Sequence, residues 1–113
     1  MHEVSICEGI ILLLEEQAVV QHFQQVKTLW LEIGELAGVE LEALRFSFEV
    51  VSRGTLAEGA RLEIQQPQGR VWCQDCTQSV PVKTRYDACP ECGGHQLQVC
   101  AGDELRIKEL EVV

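Results

Sequence analysis

Two cysteine pairs are the residues of this sequence whose type and spacing point most directly to chemistry. Cys73 and Cys76 form one C-x-x-C pair, Cys89 and Cys92 form a second, and twelve residues separate the pairs. A tight turn at each pair aims two thiolates at one ion, and two such turns supply the four sulfurs of a closed tetrahedral zinc site. Because all four positions are taken by protein ligands, we expect a structural zinc rather than a catalytic one.

Two other interpretations of these cysteines stay open. A rubredoxin-like iron site uses the same four thiolates, although rubredoxin pairs usually carry a glycine after each second cysteine, and Thr77 follows Cys76 here. Four unrelated buried thiols would need no metal at all. The remaining cysteines, Cys7 and Cys100, are interpreted as small buried apolar residues.

The amino terminus offers a second set of donors. The α-amine of Met1 and the amide nitrogen and imidazole of His2 can close adjacent chelate rings around one cation, with a further donor from the amide or carboxylate of Glu3. Deprotonated amide nitrogen suits square-planar Ni(II) or Cu(II). The alternative is an ordinary solvated terminus, since some residue must occupy position 2. We place His22 and His95 at surface or helix-end positions rather than in a ligand set.

The elements that must position these residues follow from apolar spacing. Ser5 and Glu8 have the form of a capping box and predict a helix over 5–22. Its apolar residues recur at helical spacing, at Ile6, Ile10, Leu13, Leu14 and Ala18. The same spacing predicts a second helix over 40–52, ended by Gly54. Alternating or β-branched segments predict three strands, over 26–33, 61–66 and 104–113, with the last returning to the first two.

The segment between the last two strands differs in character. Residues 70–97 hold four of the six cysteines and two of the three prolines, with few aliphatic side chains. Such a segment buries little apolar surface, so we expect a metal to fold it. The predicted fold class is α+β: a small three-stranded sheet with two helices, plus an inserted zinc-ribbon-like lobe. The predicted domains are an α/β domain of 1–69 with 98–113, which carries the amino-terminal donors, and a zinc-binding domain of 70–97.

Composition excludes several classes of function. Hydrophobic residues form 46% of the 113 residues, enough for a buried core, yet no apolar run approaches the ~18 residues that cross a bilayer. The start of the chain lacks the basic region of a signal peptide, so we expect a cytoplasmic protein without a membrane partner. A net charge of −9 disfavours nucleic acid and favours proteins or cations as partners. No cluster of nucleophile, acid and base indicates an enzyme.

Taken together, these elements resemble the HypA/HybF family of hydrogenase nickel-incorporation proteins. The likeness covers essentially all 113 residues, and its specificity lies in the joint order of the pieces. The matching pieces are Met1-His2-Glu3 with Ser5 soon after, Trp30-Leu31-Glu32-Ile33-Gly34, Arg45-Phe46, Gly54-Thr55, and Trp72-Cys73 with its three partner cysteines.

The resemblance implies a metallochaperone with Ni2+ as its transported cargo and Zn2+ as a structural ion. It implies a nickel site on Met1, His2 and Glu3, and zinc on the four paired cysteines. The implied partners are the HypB GTPase and the precursor of a [NiFe]-hydrogenase large subunit, and the choice between monomer and homodimer stays open. The alternative function is a zinc-ribbon adaptor or nucleic-acid-associated binding module, which shares the cysteine spacing but lacks a basic face here.

Overall fold

Two helices and six strands make up the part of the chain that the computed structural model describes, residues 2–113. In chain order the elements are α1 (Glu3–Gln21), β1 (Val26–Ile33), α2 (Leu41–Val51), β2 (Arg61–Gln65), β3 (Arg70–Cys73), β4 (Gln78–Pro81), β5 (Leu97–Ala101) and β6 (Leu105–Val112). Three strands form one sheet in the order β2-β1-β6, and three form a second in the order β4-β3-β5. The α+β class, with a sheet of three strands, two helices and a cysteine-rich lobe, is therefore confirmed.

Helix α1 begins two residues earlier than predicted. His2 is its N-cap, with extended backbone at φ −88° and ψ 119° and no side-chain capping bond. The predicted capping box is therefore wrong, because Ser5 already lies within the helix. The helix ends at His22, whose left-handed backbone (φ 58°) ends the helical run, while its N–H donates to the carbonyl of Ala18.

Helix α2 matches its predicted range to within a residue at each end. Glu40 is the N-cap, and its carboxylate accepts hydrogen bonds from the backbone N–H groups of Glu42 (3.4 Å) and Ala43 (2.6 Å). These bonds satisfy donors that the first turn leaves without intrahelical partners. Ser52 is the C-cap, and Gly54 follows in a left-handed conformation (φ 74°).

The chain divides into two compact units, each with its own buried residues. Unit 1 comprises residues 1–31, 39–63 and 107–113, and within it α1 contacts α2. The largest fully buried side chains of unit 1 come from both helices and from β1. They are Cys7, Leu14, Val26, Leu29, Leu31 and Leu44.

Unit 2 comprises residues 32–38 and 64–106, so it contains the predicted lobe of 70–97. Its strands β3, β4 and β5 were not predicted individually, since four- and five-residue strands give little periodicity to read. Val71 of β3 pairs with Val80 on one side and Val99 on the other. Gly34 is required here, because a Cβ on it would lie 2.0 Å from the carbonyl oxygen of Gly102.

None of the helices within residues 2–113 has the length and apolar character needed to cross a membrane.

Candidate metal centre

The four paired cysteines meet in unit 2. Their Sγ atoms all lie within 4.8 Å of one another. The Sγ atoms of Cys73 and Cys92 are 3.7 Å apart, and those of Cys76 and Cys89 are 3.9 Å apart. Within residues 2–113 no other group of three or more His, Cys, Asp or Glu side chains offers ligand atoms this close together.

This spacing fits one tetrahedrally coordinated ion. Zinc–sulfur bonds of about 2.3 Å at tetrahedral angles place neighbouring sulfurs about 3.8 Å apart. The Cys73–Cys92 and Cys76–Cys89 separations, 3.7 and 3.9 Å, bracket that value. Four thiols at such distances without a metal would crowd partial negative charges together, so the arrangement fits a cation at its centre.

Each cysteine pair sits in a turn that the backbone closes locally. Cys73 is the last residue of β3, and β4 begins five residues later. In the second pair, the N–H of Cys89 donates to the carbonyl of Gly94 (2.9 Å), and the N–H of Gly93 donates back to the carbonyl of Cys89 (2.8 Å). Local backbone hydrogen bonds therefore support the second turn, and the short connection between β3 and β4 contains the first.

The residue after each second cysteine is left-handed in both turns. Gly93 has φ 73°, as glycine permits, and Thr77 has φ 52°. Thr77 thus adopts the conformation for which rubredoxin pairs use glycine, so its identity does not separate zinc from iron on geometric grounds. Its hydroxyl donates to the carbonyl of Cys76 at 2.7 Å, which supports the turn.

The four sulfurs differ in their surroundings. Cys73 and Cys89 are buried with Leu36, Val71 and two further valines of unit 2, whereas Cys92 is exposed. The backbone N–H groups of Cys92 and Glu91 lower the pKa of Cys89 to about 7. A hydrogen bond to the Cys92 thiol, with desolvation, raises the pKa of Cys76 to about 12. Neighbouring thiols that cannot all ionise together are the donors that a dication converts to thiolates.

The amino-terminal residues lie in unit 1. The predicted ligand Met1 lies outside the described residues. His2 is exposed at the start of α1, and the next residue, Glu3, is partly buried. The Glu3 carboxylate accepts a hydrogen bond from the backbone N–H of Glu40 at 3.2 Å, and this bond is the main reason that its pKa is lowered. The carboxylate is therefore ionised and engaged at neutral pH.

The other residues singled out from the sequence belong neither to the four-cysteine site nor to the amino-terminal donor set. Cys7 is fully buried in α1, where its thiol donates to the carbonyl of Leu44 and burial raises its pKa to about 11. The prediction that Cys100 is buried is wrong: its thiol is exposed and lies 3.7 Å from the hydroxyl of Ser79. His22 and His95 are exposed, as predicted.

Sequence reasoning missed two residues that contact the candidate ligands. Glu40 holds the Glu3 carboxylate across 37 positions of sequence, and nothing local signals that pairing. Gly94 lies against the cysteine turn: a Cβ on it would be 2.9 Å from Oδ2 of Asp75 and 3.3 Å from Sγ of Cys92. The sequence signals this close approach only by placing a second glycine, Gly94, after the Cys89–Cys92 pair.

The fold and the four-cysteine site define a small two-unit metal-binding protein. The sequence profile of one family, described as "Hydrogenase/urease nickel incorporation, metallochaperone, hypA", matches residues 1–112, and the chain belongs to this HypA family of nickel-incorporation metallochaperones. The family consists of maturation factors rather than enzymes.

Relatives and solved structures agree with this assignment. The chain is 66% identical over 112 residues to the "Hydrogenase maturation factor HypA" of Azotobacter vinelandii, covering 99% of each chain. It is 58% identical, with the same coverage, to the protein of that name from Rhodopseudomonas palustris. Its fold is similar to the "Solution structure of the Ni metallochaperone HypA from Helicobacter pylori", with a TM-score of 0.71 at 25% identity over 100% of this chain and 98% of that chain. The resemblance inferred from sequence is confirmed.

Proposed function

We propose that this chain binds Ni(II) at its amino terminus and delivers it to the precursor of a [NiFe]-hydrogenase large subunit, with the HypB GTPase as a partner. The family's description covers hydrogenase and urease alike. Relatives that are 66%, 65% and 58% identical to this chain carry the name of a hydrogenase maturation factor, which favours hydrogenase as the destination. We place this activity in the cytoplasm.

The observation that carries the proposal is that Met1-His2-Glu3 leads directly into α1, with His2 as an exposed N-cap. The first N–H groups of a helix have no intrahelical acceptor. The amides of His2 and Glu3 can therefore lose their protons to a metal without breaking a helical hydrogen bond. This makes the α-amine of Met1, the His2 amide and imidazole, and Glu3 a workable ligand set.

The electrostatics of a helix start constrain that ligand set. The amino-terminal end of a helix carries a partial positive charge that opposes a bound cation. Each deprotonated amide contributes a negative charge, so a site with two anionic donors neutralises Ni(II) and removes that opposition. Since the amine, amides and imidazole all compete with protons, affinity falls as pH falls, which suits a protein that must release its cargo.

The four cysteines, in this proposal, hold a structural zinc ion that fixes the fold of their lobe. Their thiols are the donors that zinc prefers, at the separations that a tetrahedral ion requires. Cys73, Cys76, Cys89 and Cys92 would each supply one thiolate. We assign the nickel function to a domain of residues 1–69 with 98–113 and the zinc function to residues 70–97.

Calorimetric titration of nickel into untagged, zinc-loaded protein tests the nickel site. We expect one nickel ion to bind, and His2→Ala or a single residue inserted before Met1 to abolish binding. His22→Ala is the matched control, because this exposed histidine lies at the opposite end of the same helix. If nickel fails to bind, or binds equally well to all variants, the amino-terminal site is wrong and a zinc-ribbon adaptor becomes the better account. Light scattering on the same samples separates monomer from homodimer.

A further inference from the structure

Helix α1 exposes large aliphatic side chains on the side that does not face its own core. The exposed fractions are 62% for Leu12, 50% for Leu13, 76% for Val19 and 66% for Val20. Leu12 and Val19 are seven residues apart, as are Leu13 and Val20, so each pair lies on one side of the helix two turns apart. Single exposed aliphatic residues are common, but four grouped on one helix mark an interaction surface.

One acidic residue lies at the centre of this group. Glu16 is three or four positions from each of the four aliphatic residues, so it lies among them on the exposed surface. We call these five residues the α1 face. The core side of the helix consists of other residues, which are already buried within the protein: Cys7, Ile10, Ile11 and Leu14.

An apolar groove continues the α1 face at one edge. It begins at Leu13, has a volume of about 540 Å³, and reaches Phe23 and the side chains of Leu110 and Val112 on β6, all within unit 1. The groove can receive large side chains from whatever packs against Leu13. Lys108 and Glu109 both line it, and their charges offset each other.

The charges around the α1 face determine which partner fits. Helix α1 contains no lysine or arginine, while Glu8, Glu15 and Glu16 are exposed on it. A second copy of this chain would bring the same carboxylates together, and the chain as a whole carries a net charge of −9. Anionic lipid and nucleic acid are repelled for the same reason.

We propose that the α1 face is a docking site for an amphipathic helix of another protein, one whose aliphatic stripe is flanked by lysine or arginine. The stripe packs on the four aliphatic residues and inserts a side chain into the groove beside Leu13. One cation lies opposite Glu16 at the centre of the α1 face, and the flanking cations lie opposite Glu8 and Glu15 beside it. Burial of the stripe supplies affinity and the charges supply selectivity. The proposal goes beyond nickel binding and does not depend on it.

Fluorescence anisotropy on the full, zinc-loaded chain tests this site with two labelled synthetic peptides. Both form amphipathic helices with a leucine stripe; one flanks the stripe with lysine and the other with glutamate. We expect the lysine peptide to bind at least about tenfold more tightly than the glutamate peptide. The double change Leu12→Gln and Val19→Gln should weaken the lysine peptide roughly tenfold or more without lowering thermal stability, because both side chains are exposed.

Two further variants complete the test. Glu16→Lys should remove most of the preference for the lysine peptide, while Glu8 and Glu15 remain on the helix. Phe46→Gln is the matched control, because Phe46 is equally exposed (70%) but lies on α2, and it should leave binding unchanged. Three results overturn the proposal: equal or absent binding of the two peptides, self-association of the chain that the double change abolishes, or binding to phosphatidylglycerol vesicles that it abolishes.

Discussion

At the amino terminus, Glu3 presents two different nickel donors, its backbone amide and its carboxylate. Oε2 of the carboxylate already accepts a hydrogen bond from the N–H of Glu40, so the carboxylate reaches nickel only through Oε1 or at the expense of that bond. The amide carries no such conflict with α2. We therefore favour the amide of Glu3, with its carboxylate remaining on Glu40.

The substitution Glu3→Gln distinguishes these donors. It keeps an oxygen for the Glu40 N–H and leaves the backbone amide intact while removing the carboxylate charge. We expect nickel affinity to change by less than about threefold, since only a nearby charge is lost. Isothermal calorimetry measures the change, with Glu8→Gln as a control for charge on the same helix. A loss of a hundredfold or so would show that the carboxylate itself is the ligand.

Thr77 and Gly93 form a matched pair, because both are left-handed after the second cysteine of their turn. A left-handed conformation costs a residue with a Cβ roughly 1–2 kcal/mol, partly offset in the unfolded chain by the flexibility of glycine. We expect Thr77→Gly to tighten zinc binding about threefold and Gly93→Ala to weaken it by a similar factor. Competition with a chromophoric chelator measures both. Thr77→Ser, which keeps the hydroxyl, should stay near wild type. Weaker zinc binding by Thr77→Gly, or tighter binding by Gly93→Ala, would contradict this account.

A site whose residues lie close together in the sequence could be predicted from the sequence alone. Cys73 with Cys76, and Cys89 with Cys92, are each joined by one turn, so their convergence follows from spacing alone. Contacts between distant segments leave no such trace. Glu40 on Glu3 is a contact of this kind, and so is the exposure of Cys100, which depends on which face of β5 is covered.

At the scale of elements, both helices and three of the six strands were predicted close to their observed bounds. Helix α1 shows where pattern reasoning fails. Apolar residues occur all around it, so the set chosen by helical spacing includes Leu13, which is half exposed, and omits Ile11, which is buried. The same excess of apolar residues forms the α1 face. A helix whose apolar content exceeds what its own core needs therefore signals a partner rather than an error of patterning.

The start of α1 makes a related point about capping. Ser5 and Glu8 have the right spacing for a capping box, but the helix extends back to Glu3 because that carboxylate is held by Glu40. A tertiary hydrogen bond thus outweighs a local signal. Because the helix begins at Glu3, the backbone N–H of His2, the proposed nickel ligand, has no acceptor within the helix.

At the scale of the whole molecule, the two units differ in how they are stabilised. Unit 1 buries aliphatic side chains from α1, α2 and β1. The apolar cluster of unit 2 contains only six buried residues, and two of them, Cys73 and Cys89, belong to the proposed zinc site. We therefore expect the stability of unit 2 to depend on a bound metal far more than that of unit 1, since this lobe has little apolar surface to bury.

Removal of zinc with a strong chelator should consequently unfold the cysteine lobe and leave the helices in place. Circular dichroism at 222 nm should keep most of its helical signal, since both helices belong to unit 1, while amide exchange protection is lost over residues 70–101. Alkylation provides a second measurement, made on Cys100→Ser protein, which lacks the exposed thiol. The number of rapidly alkylated cysteines should rise from zero with zinc bound to four after zinc is removed. Cys7 should stay protected in both states, because it is fully buried and its pKa is raised to about 11. A collapse of the helical signal together with rapid alkylation of Cys7 would instead mean that the zinc lobe is needed to fold unit 1, and that loss of zinc would also disturb the amino-terminal nickel site.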